Sequence, residues 1–427
     1  MHPGIDSGHA GDVREVRIRL TATGGLALLC GALNPLTINL LGEVYLAELL
    51  LPLVAVAALF GRGGDSVFRE RLFWTFLLTF AVTMTGYVLS DLVRDTRPDQ
   101  YVRGWGRIVL VAADFVGMSI LFRQDRRNLW WFALGMGFGG ILYLRLILHT
   151  PISIWKFGYA EPMLLFAAAM GYFLPIRLAA VWLALLGVAS MWYDFRSFAA
   201  ICFLLASYLW LRAARPSRPM VGGKKSMRLV VAGALAGALA LTALALTESD
   251  YSSQRRAESD AGRSAAIEVG LIAIGRSPLV GYGSWTESRE LSELYLKSLL
   301  EKRGLRDPNA EAGRHFAPHS QILQSWVEGG VLGAFFFIVL GYQLYRTVRW
   351  SVLARPMDML TPIVLFVLLL CAWNLFMSPF SAPHRVHIAL GAAVLMLMDS
   401  EQRAARAAVR SSNPMPGTST GAGTLSG

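Results

Sequence analysis

From residue 20 to residue 398 the chain is a succession of apolar runs, each about as long as a bilayer is thick. A helix needs roughly 20 apolar residues to cross the hydrocarbon core. Runs of that kind lie near 20–41, 44–61, 72–93, 106–122, 128–148, 159–174, 176–193, 197–212, 229–247, 320–345, 359–378 and 384–398. Only closed barrels and helices satisfy the backbone in lipid, and runs this long are helical. The expectation is therefore an all-α polytopic membrane protein of about 12 transmembrane helices. Composition agrees, because 54% of residues are hydrophobic and only 16% charged, against about 25% in soluble domains. No long charged half is left over to build a soluble enzyme domain. The first 19 residues are polar and the first apolar run is too long for a signal peptide, so no cleavage is expected. Cys30, Cys202 and Cys371 all fall inside apolar runs and read as small core residues rather than a disulfide framework or metal site.

The net charge of +11 does not mark a nucleic-acid binder. The basic residues sit mainly in short loops between runs, where they orient a membrane protein. With Arg14, Arg17 and Arg19 in the cytoplasm, the loops "GRGGDSVFRERL", "FRQDRRN", "RAARPSRPMVGGKKSMR" and "RTVRW" fall on the same side. This gives a cytoplasmic N-terminus (1–19), a transmembrane bundle (20–247), a large outer loop (248–318), a second transmembrane set (319–398) and a cytoplasmic tail (399–427) of disordered composition. "RDTRPDQYVRGWGR" (94–107) breaks the charge rule by placing four arginines outside. Either it binds something anionic, which is the reading preferred, or the count of early spans is off.

The outer loop is polar and so lies outside the hydrocarbon. In it "SDAGRSAAIEVGLIAIGRSPL" predicts an amphipathic helix capped by Asp260, with Ile267, Leu271 and Ile274 on one face. Pro278, Gly281 and Gly283 then break the chain, and "SRELSELYLKSLLEKRG" predicts a second helix.

Ionisable groups at membrane depth are functional candidates by default, and most of them here gather on the outer side. Arg196 follows Asp194 at the start of a run, Arg145 and His149 end one, and His384, Arg385 and His387 begin another. Arg263 and Arg276 lie in the outer loop, and His315 and His319 close it. Outward arginines suit a phosphate-rich ligand, since guanidinium stays charged and pairs bidentately with phosphate oxygens. Plainer roles are open for each. Arg145 can snorkel to the interface, Arg385 and His387 can be interfacial anchors, Asp194 and Arg196 a structural pair, and His315 an ordinary surface residue. His319 stands at a helix start, where the dipole favours neutral imidazole, a form able to take up a proton. No HExxH, P-loop, GxSxG or paired metal carboxylate stands near it, so no metal and no cofactor is expected.

"HSQILQSWVEGGVLG" resembles the pattern of the O-antigen ligase/polymerase superfamily: a His and Ser at His319 and Ser320, then Gly330 and Gly333 at a fixed spacing. Ala334 departs mildly from the residue usual there. "GRSAAIEVGLIAIGRSPLVGYG", with Gly281 and Gly283, resembles a second family pattern, and "DFRSFAAICFLLA" a third. The likeness covers roughly 180–345 at motif level, and the first 180 residues match in hydropathy alone.

The resemblance implies a GT-C-like glycosyltransferase of the inner membrane with its site on the periplasmic face. Its donor would be a glycan on undecaprenyl pyrophosphate, and in the ligase subgroup its acceptor is the lipid A–core oligosaccharide. Membrane lipids are the other expected partners and nucleic acid is not one. His319, Arg196 and Arg263 are the expected catalytic residues, with Arg276, Arg385, Arg145 and His315 as further substrate contacts. Plain length and a short tail favour the ligase. The alternatives are a polymerase of the same superfamily and, from another class, a transporter, which would call for paired halves and broken helices near the midplane.

Overall fold

The computed structural model describes residues 20–40, 42–60, 65–213, 250–285, 288–303, 316, 318–353, 357–358 and 360–412. They are overwhelmingly helical. Among the described residues five helices are long and apolar enough to cross a membrane: Arg71–Arg94, Pro98–Gln124, Asn128–Ile147, Arg196–Ala213 and Gln321–Trp350. Shorter apolar helices run over Ala22–Ala32, Leu46–Ala58, Ile176–Trp192 and Thr361–Met377. The chain is a multi-pass helical membrane protein. Each expected span contains a helix except 229–247, which lies outside the described residues together with 1–19 and 413–427.

Not every run is a full span. The first, expected over 20–41, is helical only as α1 (Ala22–Ala32). Its 11 residues rise about 16 Å, roughly half the hydrocarbon thickness. Asn34 and Pro35 end it, and the chain turns into an antiparallel hairpin, β1 (Thr37–Asn39) with β2 (Glu43–Tyr45), in which Ile38 faces Val44. Then follow α2 (Leu46–Phe60), α3 (Asp65–Phe68), α4 (Arg71–Arg94), α5 (Pro98–Gln124), α6 (Asn128–Leu142), α7 (Ala160–Met170), α8 (Ile176–Trp192) and α9 (Arg196–Ala213). Two π-helical turns, Tyr143–Ile147 and Trp155–Tyr159, bracket the α6–α7 connection. Beyond the undescribed stretch come α10 (Asp250–Arg276), α11 (Arg289–Arg303), α12 (Gln321–Leu353), α13 (Thr361–Met377) and α14 (Ala382–Ser412).

Lipid offers no hydrophobic force between helices, so close backbone approach and polar contacts must hold them. α1 lies on α6 with Gly31 against the Phe132 carbonyl and Gly135 against that of Leu28, where a methyl group would collide. α4 lies on α12 in the same way: a Cβ on Gly86 would sit 2.5 Å from Gly333 N. There Thr83 donates to Leu332 O (3.3 Å) and accepts from Phe336 N (3.0 Å), and the Phe80 and Phe336 rings stack at 3.9 Å.

The two ends of the bundle differ in chemistry. At one end Glu70 pairs with Arg123 and Arg403, Arg126 with Asp358 (2.7 Å), and Arg346 with Asp399 (2.6 Å). These are the ends that the charge rule put together in the cytoplasm. The network also corrects the expected tail, because α14 stays helical to Ser412 instead of losing order at 399. Asp399, Glu401 and Arg403 have partners outside α14, on α12, in the α5–α6 turn and just before α4, which hold that extension.

The outer loop forms a helical hairpin with two departures from expectation. Asp260 does not cap its helix, since α10 begins ten residues earlier at Asp250. The packed face is Ala265, Ala266, Val269 and Ala273, against Leu291, Tyr295 and Leu299 of α11, with the expected Ile274 packed beside them, while Leu271 is exposed. Alanines win because they let α11 approach closely.

Candidate active site

α12 is broken near its top. Gly330 has φ +65° and ψ −164° inside the helix, a conformation that strains any residue with a side chain. A helix cannot be cut in lipid without replacing its hydrogen bonds, and the segment 278–283 supplies them. Val331 N donates to Pro278 O (3.0 Å), Tyr282 N to Val327 O (2.8 Å) and Gly283 N to Glu328 O (3.0 Å). Gly281, at φ +80°, lies so close to the break that a Cβ would sit 2.6 Å from Gly330 N. Gly283, at φ +90°, packs against Thr96, and a Cβ on Gly333 would meet Ser325 O at 2.6 Å across the bend. The four motif glycines thus form one joint. The loop docks on helix α12 there.

Beneath the joint sits a buried ion pair. Arg107 Nη2 donates to Glu328 Oε2, which also accepts from Tyr87 Oη at 2.8 Å, and Gln324 donates to Oε1 at 2.9 Å. Arg107 also donates to Phe380 O (2.9 Å), and Phe380 N donates to Gln324 Oε1 (2.6 Å). The backbone of 378–381 is therefore clamped from both sides. Two arginines of the 94–107 stretch are used here as structural groups: Arg107 as described, and Arg94 on Gly281 O and Ser277 Oγ, both at 2.8 Å. Two of the four arginines in that stretch are thus held by the protein's own groups.

Ser320 stands just before α12. Its hydroxyl donates to Leu375 O (3.1 Å) and accepts from Leu323 N (3.4 Å), so it caps the helix. His319 precedes the cap, partly buried. Arg196 opens α9 after a tight turn in which Asp194 takes φ +54°, with Asp194 Oδ1 3.6 Å from Arg196 Nε. Arg263 lies on α10, 3.8 Å from Asp260 Oδ1. His319, Arg196 and Arg263 line one cavity of about 950 Å³, at the upper end of ordinary ligand pockets. Lys156, Glu161, Asn374, Ser378 and His384 add polar groups to it, and Leu144, Leu148 and Phe157 add an apolar wall. Ser378 belongs to the turn clamped by Arg107 and Gln324.

The remaining expected contacts are elsewhere. Arg385 is buried and committed: Nε and Nη2 reach Glu48 at 2.5 and 2.7 Å, and Nη2 also donates to Glu43 O. It ties α14 to α2 and does not line the cavity. Arg276 pairs with Glu290 across the α10–α11 hairpin. Arg145 is exposed on the first π-turn, outside the cavity lining. His315 lies outside the described residues. Among the described residues no group of three His, Cys, Asp or Glu is placed to hold a metal ion. Sequence reasoning passed over Glu161, whose only signal is a carboxylate at the start of an apolar run.

A model of the O-antigen ligase family matches residues 178–338. The match runs from α8 through the first part of α12 and contains Arg196, Arg263, His319 and all four glycines of the joint. Among curated proteins none matches the chain.

Proposed function

We propose that this chain, a member of the O-antigen ligase superfamily, transfers a glycan from undecaprenyl pyrophosphate to a hydroxyl of the lipid A–core oligosaccharide at the periplasmic face of the inner membrane. One observation carries the reading: His319, Arg196 and Arg263, on three separate elements, line one cavity.

The chemistry asks for two things, a more nucleophilic acceptor oxygen and a leaving group whose charge is met. His319 takes the proton from the acceptor hydroxyl as its oxygen bonds to the anomeric carbon of the donor sugar. The bond from that carbon to the phosphate oxygen breaks with its electron pair, and undecaprenyl pyrophosphate departs. Arg196 and Arg263 hold the phosphates and stabilise the charge that grows on them. A single displacement inverts the anomeric centre. Permanent guanidinium charge does the work, with no metal, nucleotide or covalent intermediate. The apolar wall of Leu144, Leu148 and Phe157 suits the polyprenyl chain of the donor.

The test is transfer by the purified protein from lipid-linked polysaccharide to lipid A–core, with chelator present and no nucleotide. Product with an inverted linkage is expected from the wild type and none from Arg196→Ala. Loss of activity on chelation refutes the metal-free mechanism. In cells a ligase defect leaves polymerised glycan on the carrier lipid. A polymerase defect leaves one repeat unit on the core, and that phenotype would replace the ligase reading.

A further inference from the structure

Glu161 opens α7 and lines the same cavity. Its Oε1 meets His387 Nε2 from α14. His387 Nδ1 lies 2.7 Å from Pro383 O. A carbonyl only accepts, so Nδ1 carries a hydrogen, and a single further proton is shared between Nε2 and the carboxyl group. Wherever that proton resides, the pair has no net charge.

Such a pair is a poor phosphate ligand and a good hydroxyl ligand. A comparison inside the molecule separates it from a merely structural pair. Glu48, tied to Arg385, has a side-chain exposure of 0%, whereas Glu161 keeps 30% while His387 behind it has 9%. His387 is the buried holder and Glu161 the presented group. His384, one turn up, also lines the cavity, with Nδ1 2.8 Å from Ser381 Oγ. Tyr45 and Trp373 line it too, giving flat apolar faces of the kind that pack on a sugar ring.

We propose that Glu161, oriented by His387, is a glycan-binding residue of this cavity, accepting hydrogen bonds from hydroxyl groups of a sugar ring. The proposal rests on the cavity being the site of glycosyl transfer, and it assigns the division of labour inside it: cations for phosphate, the Glu161–His387 pair for sugar. The hydroxyls can belong to the acceptor or to the donor glycan. His387 is a positioning residue.

The experiment measures binding by fluorescence anisotropy of two labelled oligosaccharides to the purified full-length protein. One is the core oligosaccharide freed of lipid A and the other is the donor glycan freed of its lipid. Glu161→Gln keeps a donor for His387 Nε2 and so preserves the fold, which an unchanged melting temperature verifies. Loss of the carboxyl group is expected to weaken Kd by about tenfold or more for one oligosaccharide, which identifies the source. His387→Gln should weaken the same one, with KM for that substrate rising more than kcat falls. Wild-type and Glu161→Gln proteins binding both oligosaccharides equally, or wild type binding neither, overturns the proposal. Glu161-dependent binding without any transfer would instead remove the ligase reading and leave the subsite standing.

Discussion

Arg107 and Glu328 are joined in a bundle interior where their side chains keep only 2% and 4% exposure. They come from α5 and α12, and the network around them fixes both the break in α12 and the 378–381 turn beside the cavity. Removing one member strands a buried charge, at a cost of about 3–5 kcal/mol. Glu328→Gln and Arg107→Met are each expected to lower the melting temperature in detergent sharply. The double variant Arg107→Met/Glu328→Leu should recover much of that loss. Singles that melt like wild type would show that the pair does not hold the joint.

Gly330→Ala and Gly281→Ala should both fail at the joint. The first puts a methyl group into Leu279 O at a positive φ, and the second presses on Gly330 N. Backbone strain of this kind costs about 1–3 kcal/mol before any clash is counted. Limited proteolysis is expected to open the 277–283 segment in both. Gly25→Ala is the control, because nothing stands within 4 Å of its added carbon, and it should be neutral or slightly stabilising by helix propensity.

Arg385 and Arg196 should part company when each is replaced by alanine. Arg385→Ala leaves Glu48 buried without its cation and should depress folding yield and thermal stability. Arg196→Ala should keep the wild-type melting temperature and lose transfer. Equal melting behaviour for the two would contradict the separation of anchor from clamp.

His319→Ala should lower kcat by about 10²–10⁴-fold, the usual share of a general base, with normal protein level. Transfer at the wild-type rate in a well-folded variant would remove the base assignment.

The α10–α11 hairpin should loosen in acid. Hydrogen bonds from Lys302 and Ser298 hold the Glu268 carboxyl below its usual value. A depressed carboxylate stabilises the fold above its unfolded pKa of about 4.3, and that contribution fades as pH falls through the lower folded value. Protection factors for hydrogen exchange in residues 289–303, taken against the intrinsic rate at each pH, should therefore fall as pH drops below that range. Glu268→Gln should flatten the change, and an unaltered profile would show that this contact does not set it.

The helices were legible because bilayer thickness imposes a length on apolar runs. α1 was misjudged since Pro35 lies inside a run whose hydropathy does not register a turn. Spacing and resemblance singled out His319, Arg196 and Arg263, and the structure brings the three to one cavity. Arg385 was misjudged because its partner, Glu48, is 337 positions away, and no local pattern announces such a pairing. The role of Glu328 was hidden for the same reason, with Arg107 and Tyr87 brought to it only by packing. The spacing marked Gly330 without its role; that it breaks the helix follows from the loop 278–283 arriving to replace the lost hydrogen bonds.

That break has a mechanical consequence. A transmembrane helix tilts to match the thickness of the lipid around it, and a continuous rod would swing its top with every such adjustment. α12 is not continuous. The short helical segment that His319 precedes is fastened at its far end, at Val327 and Glu328, to the 278–283 segment and to α4 through Ser90 and Tyr87, while the rest of the helix below Gly330 rides in the bilayer. The joint works as a bearing. It isolates the histidine from the tilt of its own helix and holds its height by the surface hairpin instead.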